Sequence, residues 1–529
     1  MIFAGTAVRR SAKKGRKKEQ DMTGMTVAGI AAVVALIIGV GIYSGKKVKN
    51  EKDFLTGGGK AGPGLVCGAI LGSLVSGQAT IGTAQLAFHF GLSAWWFTLG
   101  SGLGCLALAL GFVGPLRRSG CVTELQIIRR EFGGGAESLG SVLNALGIFL
   151  TILAQVIACI GLLTIMFPTM PPLVAAALTV AIMCFYVIFG GAWGAGMGGM
   201  VKVGLLYLTL IGSFILVWTQ EGGLSGLLAA LRSQLAGTPL GMVQQAAEKV
   251  SDLPDAAALA RRFFSLTARG FMKDAGSCLS LILGVLSTQT YAQAVWSAGS
   301  DAAARKGVLL GALLCPPLGI TGIFIGLSMR AHYITAAEAA ALAAAGQTAP
   351  ASCVLAGTVH VLPAFALDHM PPLLAGIVLG TLLITVIGGG AGLSLGMSAI
   401  LVKDVWRRFS SGIESPRAEL AASRLTIAGI LCAAAVAALT MPGKMLNDLG
   451  FLSMGLRAAV VFAPMSAALF MRGRLPGGCA IAAMLLSPLS MAAVQFFRLP
   501  VDPLVVGMGV SVAVCGAGMM FSRTPGKGQ

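Results

Sequence analysis

Charge is scarce in this chain. Asp, Glu, Lys and Arg make up 11% of its 529 residues, apolar residues make up 56%, and the mean hydropathy is +0.85. A soluble domain carries about 25% charged residues, so this composition excludes the soluble class and points to lipid as the solvent. Reactive side chains are few as well. There are four His, and the eleven Cys are scattered with no CxxC pair and no His/Cys cluster, so neither a disulfide framework nor a metal site is expected. No HExxH occurs, no GxSxG lies in a strand–turn–helix setting, and no pair of carboxylates falls within the apolar stretches. A membrane enzyme would need such a constellation, so the chain is expected not to be one. A sensor fused to a kinase would need a soluble output domain, and eight residues follow the last apolar stretch.

What the chain has instead is a series of apolar runs. A spanning helix takes about 20 apolar residues. Thirteen such segments can be read at 24–44, 63–88, 94–114, 138–167, 171–190, 195–218, 274–298, 306–329, 371–402, 424–441, 447–471, 478–497 and 502–521. They are numbered 1 to 13 below. The expected fold class is therefore an all-α polytopic membrane protein with about thirteen transmembrane helices.

The net charge of +18 is placed like a topology signal rather than a nucleic-acid surface. Lys46, Lys47, Lys49, Lys52 and Lys60 follow segment 1. Arg117, Arg118, Arg129 and Arg130 follow segment 3, and Arg305 and Lys306 follow segment 7. Lys403, Arg407, Arg408, Arg417 and Arg424 follow segment 9, Arg472 and Arg474 follow segment 11, and Arg523 and Lys527 lie in the tail. All fall on one side, while the short loops 89–93 and 168–170 on the other side have no Lys or Arg. This places the N-terminus outside, the C-terminus in the cytoplasm and the chain in a bacterial inner membrane. The basic stretch at 9–18 disagrees; either the other loops outvote it or translation starts at Met22 or Met25. The expected partners are the bilayer and a small-molecule solute, with no nucleic acid.

Polar residues inside apolar segments are costly and mark function. Segment 2 carries Ser73, Ser76, Gly77, Gln78, Thr80 and Thr83, and segment 7 carries Ser287, Thr288, Gln289, Thr290, Tyr291 and Gln293. Each cluster starts about 20 Å into its helix. Segments 2 and 7 are an odd number apart, so they run in opposite directions. That is the pattern of a 5+5 inverted repeat, segments 2–6 against 7–11, whose first helices are interrupted at a midplane site. Small polar residues also simply pack helices together. Paired clusters at matching depth favour a binding site, with Ser76, Gln78, Thr80, Thr288, Gln289 and Tyr291 as candidate solute ligands.

The interiors of the segments contain two cations, Lys202 and Arg457. Arg457 sits near mid-depth, where an unpaired Arg costs at least about 2.5–3.5 kcal/mol, and the interiors of the segments hold no Asp or Glu to pair with it. A solute carboxylate held by the guanidinium would supply the missing charge. The competing reading is an Arg bonded to helix-end carbonyls. His89, His332, His360 and His369 read as solvated, and Trp95, Trp96, Trp193 and Trp296 as interfacial anchors. The long loop 219–273 is a candidate lid. The organisation that follows is a basic tail at 1–23, an extra first span and loop at 24–62, a first repeat at 63–218, the loop at 219–273, a second repeat at 274–471 and two further spans at 472–529.

Several stretches together resemble the sodium:solute symporter family, from about Ala28 to Leu485. They are GIYSGKKVKNEKDFLTGGGKAGPG with Asp53, Phe54 and Gly57; AFHFGLSAWWFTLG; QTYAQAVWSAGSDAAARKGVLLGALL with Tyr291, Gln293, Ala304, Arg305, Lys306 and Gly307; MSAILVKDVWRRF with Asp404; and LRAAVVFAPMSAALFMRGRLPGG. The resemblance implies a leucine-transporter-like fold and alternating access. It also implies a solute site lined by segments 2, 3, 7 and 11, and Na+ as the coupling ion with no other cofactor.

The chain departs from the family at the sodium site that the resemblance implies. Counted back from Asp404, the two hydroxyl positions are Gly388 and Gly389, the preceding carbonyl position is Thr385, and the backbone ligands are Gly72 and Val75. A Thr-Asp pair common in the family falls at Gly198 and Gly199, and a nearby Gln position is Lys202. Three side-chain oxygens are lost and a cation is gained. Lys202 in the place of the ion would make transport proton-coupled or uncoupled; a Lys reaching back to the interface is the alternative. Sodium held by Thr385, Ser394 and carbonyls stays open. The expected activity is secondary active transport of a small polar solute, an organic anion or amino acid, and a non-transporting solute receptor is the reading from another class.

Overall fold

The computed structural model describes residues 22–45, 59–121, 123–236, 260–344, 346, 350–402, 416–441 and 445–521, with backbone alone at 44–45, 187–195 and 416–420. The basic stretch 9–18, Lys46 to Lys52, Asp53, Phe54, Gly57, Lys403, Asp404, Arg407, Arg408, residues 237–259 of the long loop, Arg523 and Lys527 lie outside it, as do the side chains of Trp193 and Arg417.

The described residues are nearly all helical; the strands are the two-residue pair Ile334–Thr335 and Val354–Leu355. Ten helices are long and apolar enough to cross a membrane, and the bent pair Phe271–Leu286 and Gln289–Ser297 makes eleven. Among the described residues the expected thirteen is not reached on this measure, and two of the reasons are physical. Segment 2 is interrupted, so its first half, Pro63–Leu74, is short, and its second half continues into segment 3 as Gln78–Ser119. Segment 7 bends by 42°. Segment 5 is described with its side chains over Pro172–Tyr186, and so is not counted. Helical backbone runs on from Pro172 to Glu221, yet a Cβ at Gly198 would lie 3.5 Å from the Tyr186 hydroxyl. Twelve residues of straight helix would separate the two by about 18 Å, so the chain folds back between segments 5 and 6.

Glycines set the closest packing. Gly91, at φ +58°, turns segment 2 into segment 3, and a Cβ there would meet the Phe263 carbonyl oxygen at 1.9 Å. Large apolar side chains such as Leu208, Leu313 and Leu425 point out of the bundle. In water each would forfeit about 1.5–3 kcal/mol, so this surface fits lipid.

Contacts fix the direction of the two interrupted segments. Gly307 of the helix Asp301–His332 (segment 8) packs on Pro63 and Val66, Gly322 on Thr83 and Gly326 on Ala84, so segment 8 runs parallel to segment 2. Segment 7 enters segment 8 by a tight turn and therefore runs antiparallel to segment 2. The backbone bridge between Ala61 and Ala298 closes the pair at one end. This is the inverted arrangement read from the two polar clusters.

The basic loops gather at that same end. Arg117 pairs with Asp301 at 2.6 Å and donates to the carbonyls of Val295 and Ala298. At the opposite end Arg269 and Asp274, each 1% exposed, pair at 2.8 Å, with Ser93 and Ser277 completing the network. Residues 260–270 pack down onto the corner of segments 2 and 3, where Trp96 Nε1 donates to the Leu266 carbonyl at 2.7 Å. The tryptophans Trp95 and Trp296 are half-buried, and their indole N–H groups donate to the carbonyls of Pro316 and Leu116. The histidines are not simply solvated. His332 Nε2 lies 3.0 Å from Glu221 Oε1, and His369 stacks on Phe365.

Candidate functional site

The interruption of segment 2 is held from segment 4, the helix Gly134–Met166. Regular bonding stops at Val75, whose N–H still donates to the Leu71 carbonyl, and resumes as a π-helical stretch over Gln78–Gly82. Gln155 spans the gap: its Oε1 accepts from the Gly77 N–H at 2.9 Å and its Nε2 donates to Ser76 Oγ at 3.0 Å. An unpaired buried N–H would cost about 1–3 kcal/mol, so this side chain makes the break tolerable. Gln78 donates to the Leu446 carbonyl of segment 11 at 3.1 Å, while Thr80 bonds back to the Ser76 carbonyl. Further π-helical stretches lie at Leu108–Phe112 in segment 3 and Ala458–Phe462 in segment 11. With the break at Ser287–Thr288 in segment 7, all four segments that the resemblance assigned to the solute site are irregular. Such irregularities concentrate at functional sites.

On one side of the break in segment 2 lies a cavity of about 70 Å³, bounded by Gly72, Ser73, Tyr186, Gly199, Lys202 and Gly388. The expected ion-coupling residues converge here. Lys202 is 4% exposed and its Nζ donates to the Gly72 carbonyl at 2.5 Å. Gly72 lies in the last turn of Pro63–Leu74, where carbonyls lack helical partners and the helix dipole presents its negative end, so a cation is favoured. Gly199 must be glycine, because a Cβ would meet the Gly68 carbonyl oxygen at 1.9 Å; this close approach brings Lys202 against the break. Gly388 and Gly389 face the same region with no side-chain oxygen: a Cβ on Gly388 would have the Tyr186 hydroxyl 3.6 Å away, and one on Gly389 would meet the Ser76 Cβ at 2.8 Å. Thr385 is fully buried and its hydroxyl has no hydrogen-bond partner. Ser394 bonds back to Gly390 at 2.7 Å. Sodium needs several oxygens around it, and of the expected ligands one is a free hydroxyl, one a carbonyl already taken by an ammonium and two are glycines, with Ser73 and Tyr186 the hydroxyl residues on the cavity wall. The residues present are a poor fit for the ion.

Arg457, which does not line this cavity, is fully buried. Its Nη1 donates to Thr288 Oγ1 at 2.9 Å, at the break of segment 7. Its Nη2 reaches Thr151 Oγ1 at 3.3 Å, Ser453 Oγ at 3.0 Å and Met454 Sδ, and its Nε donates to the Ser453 carbonyl. Thr151 and Ser453 are themselves 2.6 Å apart. Gly147 makes room for the side chain, since a Cβ there would lie 2.8 Å from Arg457 Cγ. These partners are all neutral, and among the described residues Arg457 makes no ion pair. The nearby carboxylate is Glu124, outside the expected segments, at the head of the short helix Glu124–Phe132. Its backbone N–H donates to Gln289 Oε1 at 2.9 Å. Tyr291 is buried one turn further along segment 7.

Of the expected residues, the structure therefore brings Gly72, Lys202 and Gly388 to one cavity, and Thr288, Arg457 and Gln289 to the break of segment 7. Ser76 sits between the two through Gln155. Gln78 instead joins segment 11 near its start, and Thr80 turns back on its own helix. The sequence reading missed Gln155, Thr151, Ser453, Tyr186 and Glu124. A signal for the first two was present: Ser141, Asn144, Thr151 and Gln155 recur at helical spacing along one face of segment 4.

A family model, the sodium:solute symporter family, matches residues 54–486. This chain belongs to the sodium:solute symporter family. Members of that family are membrane transporters rather than enzymes, and the family implies Na+ as the coupling ion. A structure described as the substrate-bound outward-open state of a Na+-coupled sialic acid symporter superposes over 94% of this chain and 98% of its own, with a TM-score of 0.71 and 16% identity. The inward-facing conformation of Mhp1 covers 87% of this chain and 90% of its own, with a TM-score of 0.50 and 13% identity. At these identities the likeness shows the leucine-transporter-like fold alone. A curated relative, the high-affinity choline transporter 1 of Drosophila melanogaster, is 25% identical over 219 residues, which is 38% of this chain and 34% of the relative. The match thus spans about a third of that transporter's length.

Proposed function

We propose that this symporter moves a small solute bearing a carboxylate, an organic anion or an amino acid, and that Lys202 stands where the family places its coupling sodium. The observation that carries the first part is Arg457, a buried guanidinium at the break of segment 7 whose partners are hydroxyls, a carbonyl and a thioether. A carboxylate exchanging for two hydroxyls would gain charge-assisted, paired bonds. A quaternary cation such as choline would face repulsion instead, about 3 kcal/mol at 5 Å and an effective dielectric of 20. Support for the second part is the Lys202–Gly72 bond in the cavity that Gly388 also lines.

The alternating-access reading moves the repeat 63–218 against 274–471, with the N-terminus outside and the C-terminus in the cytoplasm of a bacterial inner membrane. Sodium coupling is the second reading, favoured by the free Thr385 hydroxyl and the family's own chemistry. The test is thermal stability of the purified protein against carboxylates, amino acids, sugars and polyols, each with and without sodium. A ligand of the folded state raises stability by mass action. A carboxylate is expected to stabilise the wild type equally in both buffers, and Arg457→Lys is expected to lose at least tenfold in its affinity. Stabilisation by a neutral sugar alone, or full affinity in Arg457→Lys, overturns the clamp; a requirement for sodium returns coupling to the family pattern. Counterflow of labelled solute separates a transporter from a receptor that binds without moving its ligand.

A further inference from the structure

Glu124 is 1% exposed, and neither of its carboxylate oxygens has a hydrogen-bond partner. A buried carboxylate left bare is costly unless it is protonated, watered or given a counter-charge. Its place is fixed by bonds at both ends of a short path. Its own N–H holds Gln289, the residue after Thr288, which in turn receives a bond from Arg457. The two charged groups thus flank the break of segment 7.

A polar stripe on segment 4 joins them. Gly140 packs on Leu125, the neighbour of Glu124, while Gly147 and Thr151 touch Arg457. Between these contacts, on the same helical face, lie Ser141 and Asn144, both fully buried with side-chain polar atoms that have no partner. From Ser141 to Thr151 is about 15 Å of helix. Unsatisfied buried polar groups in a row are where water resides in folded proteins.

We propose that Glu124 is a proton-binding residue that exchanges with the solute carboxylate as the counter-charge of Arg457. This rests on the reading of Arg457 as the solute clamp. When the solute carboxylate engages Arg457, the guanidinium's charge is neutralised and Glu124 takes up one proton along the polar stripe. When the solute leaves, the field of Arg457 is restored, and at a pH above about 8 the proton dissociates and Glu124 remains as the carboxylate. One proton then accompanies each carboxylate, with no sodium required. Other charges on the elements around Glu124 are engaged elsewhere: Arg129 pairs with Glu137, Arg130 donates to the Ser119 carbonyl, and Glu131 accepts from Gly473. The helices Ala463–Phe470 of segment 11 and Gly477–Phe496 of segment 12 also pack on the helix Glu124–Phe132, and neither contains a charged residue. Burial pushes the Glu124 carboxyl up to about 8, with Arg457 opposing the rise.

The test needs no solute. Infrared difference spectra of the detergent-purified full chain, wild type minus Glu124→Gln, are recorded across pH. A protonated-carboxyl band is expected that fades as pH rises through about 8. Arg457→Gln, which mimics the neutralised clamp, is expected to move that midpoint up by at least one unit, and Arg457→Lys to leave it in place. Absence of the band at every pH, or a midpoint indifferent to Arg457→Gln, overturns the exchange. Should Glu124→Gln not fold, Glu124→Asp supplies the difference through a shifted band, and an unshifted spectrum refutes the assignment. The clamp itself stands or falls on the solute panel, so the two failures are distinguishable.

Discussion

Lys202 gives the sharpest quantitative prediction. A sodium ion at the position that the family places between segments 2 and 9 would need the Gly72 carbonyl, which Lys202 Nζ holds at 2.5 Å. Ion and ammonium would then share one small cavity, about 4 Å apart. At an effective dielectric of 20 two like charges at that distance repel by about 4 kcal/mol, close to a thousandfold in affinity. Lys202→Gln removes the repulsion and frees the carbonyl. Adding Gly388→Ser restores one lost oxygen in a place where a Cβ meets only the Tyr186 hydroxyl, at 3.6 Å. The assay is thermal stability against sodium at constant ionic strength, with potassium as the replacement salt. The wild type is expected to be indifferent to sodium. The double variant is expected to gain about 2.7 kcal/mol when sodium reaches a hundred times its dissociation constant. A wild type stabilised by sodium with the same midpoint as Lys202→Gln would refute the electrostatic argument, because it would mean that the ammonium and the ion do not compete.

Three other outcomes follow from the same structure. Gly389→Ala places a Cβ 2.8 Å from that of Ser76, so it should destabilise the fold by about 1–3 kcal/mol and impair solute binding, whereas Gly388→Ala should be silent in both assays. Asp274→Asn leaves Arg269 buried beneath the Phe451 ring with its main partner lost, the remaining carboxylate being Asp448 at 3.4 Å. Denaturation should show a loss of about 3–5 kcal/mol, and an Arg269→Met, Asp274→Leu double variant should recover most of it. Glu124 binds its proton more tightly folded, at about 8, than unfolded, at 4.5. Between those values the unfolded chain holds fewer protons, so stability falls as pH rises. Glu124→Gln should flatten that slope and exceed the wild type above pH 8, by at most about 5 kcal/mol.

The residues show where sequence reading succeeds and where it stops. Ser76, Gln78, Thr288 and Gln289 were legible because a hydroxyl or amide amid apolar neighbours is conspicuous in lipid, and their recurrence at one depth in segments 2 and 7 exposed the inverted repeat. Arg457 was legible for the same reason. Glu124 was not, since it lies in a loop that carries Arg129 and Arg130 and reads as ordinary basic-face sequence. Its burial depends on how the helix Glu124–Phe132 docks under segment 4. The number of unbroken spans also outran the sequence: hydropathy counts apolar residues and does not see that segments 2 and 7 are broken.

The sequence by itself determined the solvent and the places where the helices carry polar cargo. Each of these follows from local composition, because the cost of a polar group in lipid is set by the residue and its depth. Only the tertiary structure decided which of these groups meet. Gly199 lets segment 6 approach Gly68 and so carries Lys202 to the carbonyl of Gly72; Gly147 opens the space in which Arg457 finds Thr288 and Thr151; and Gln155 closes the gap at Gly77 from another helix. These are contacts between residues more than seventy positions apart, fixed by the packing of helices against one another, and no local pattern encodes them.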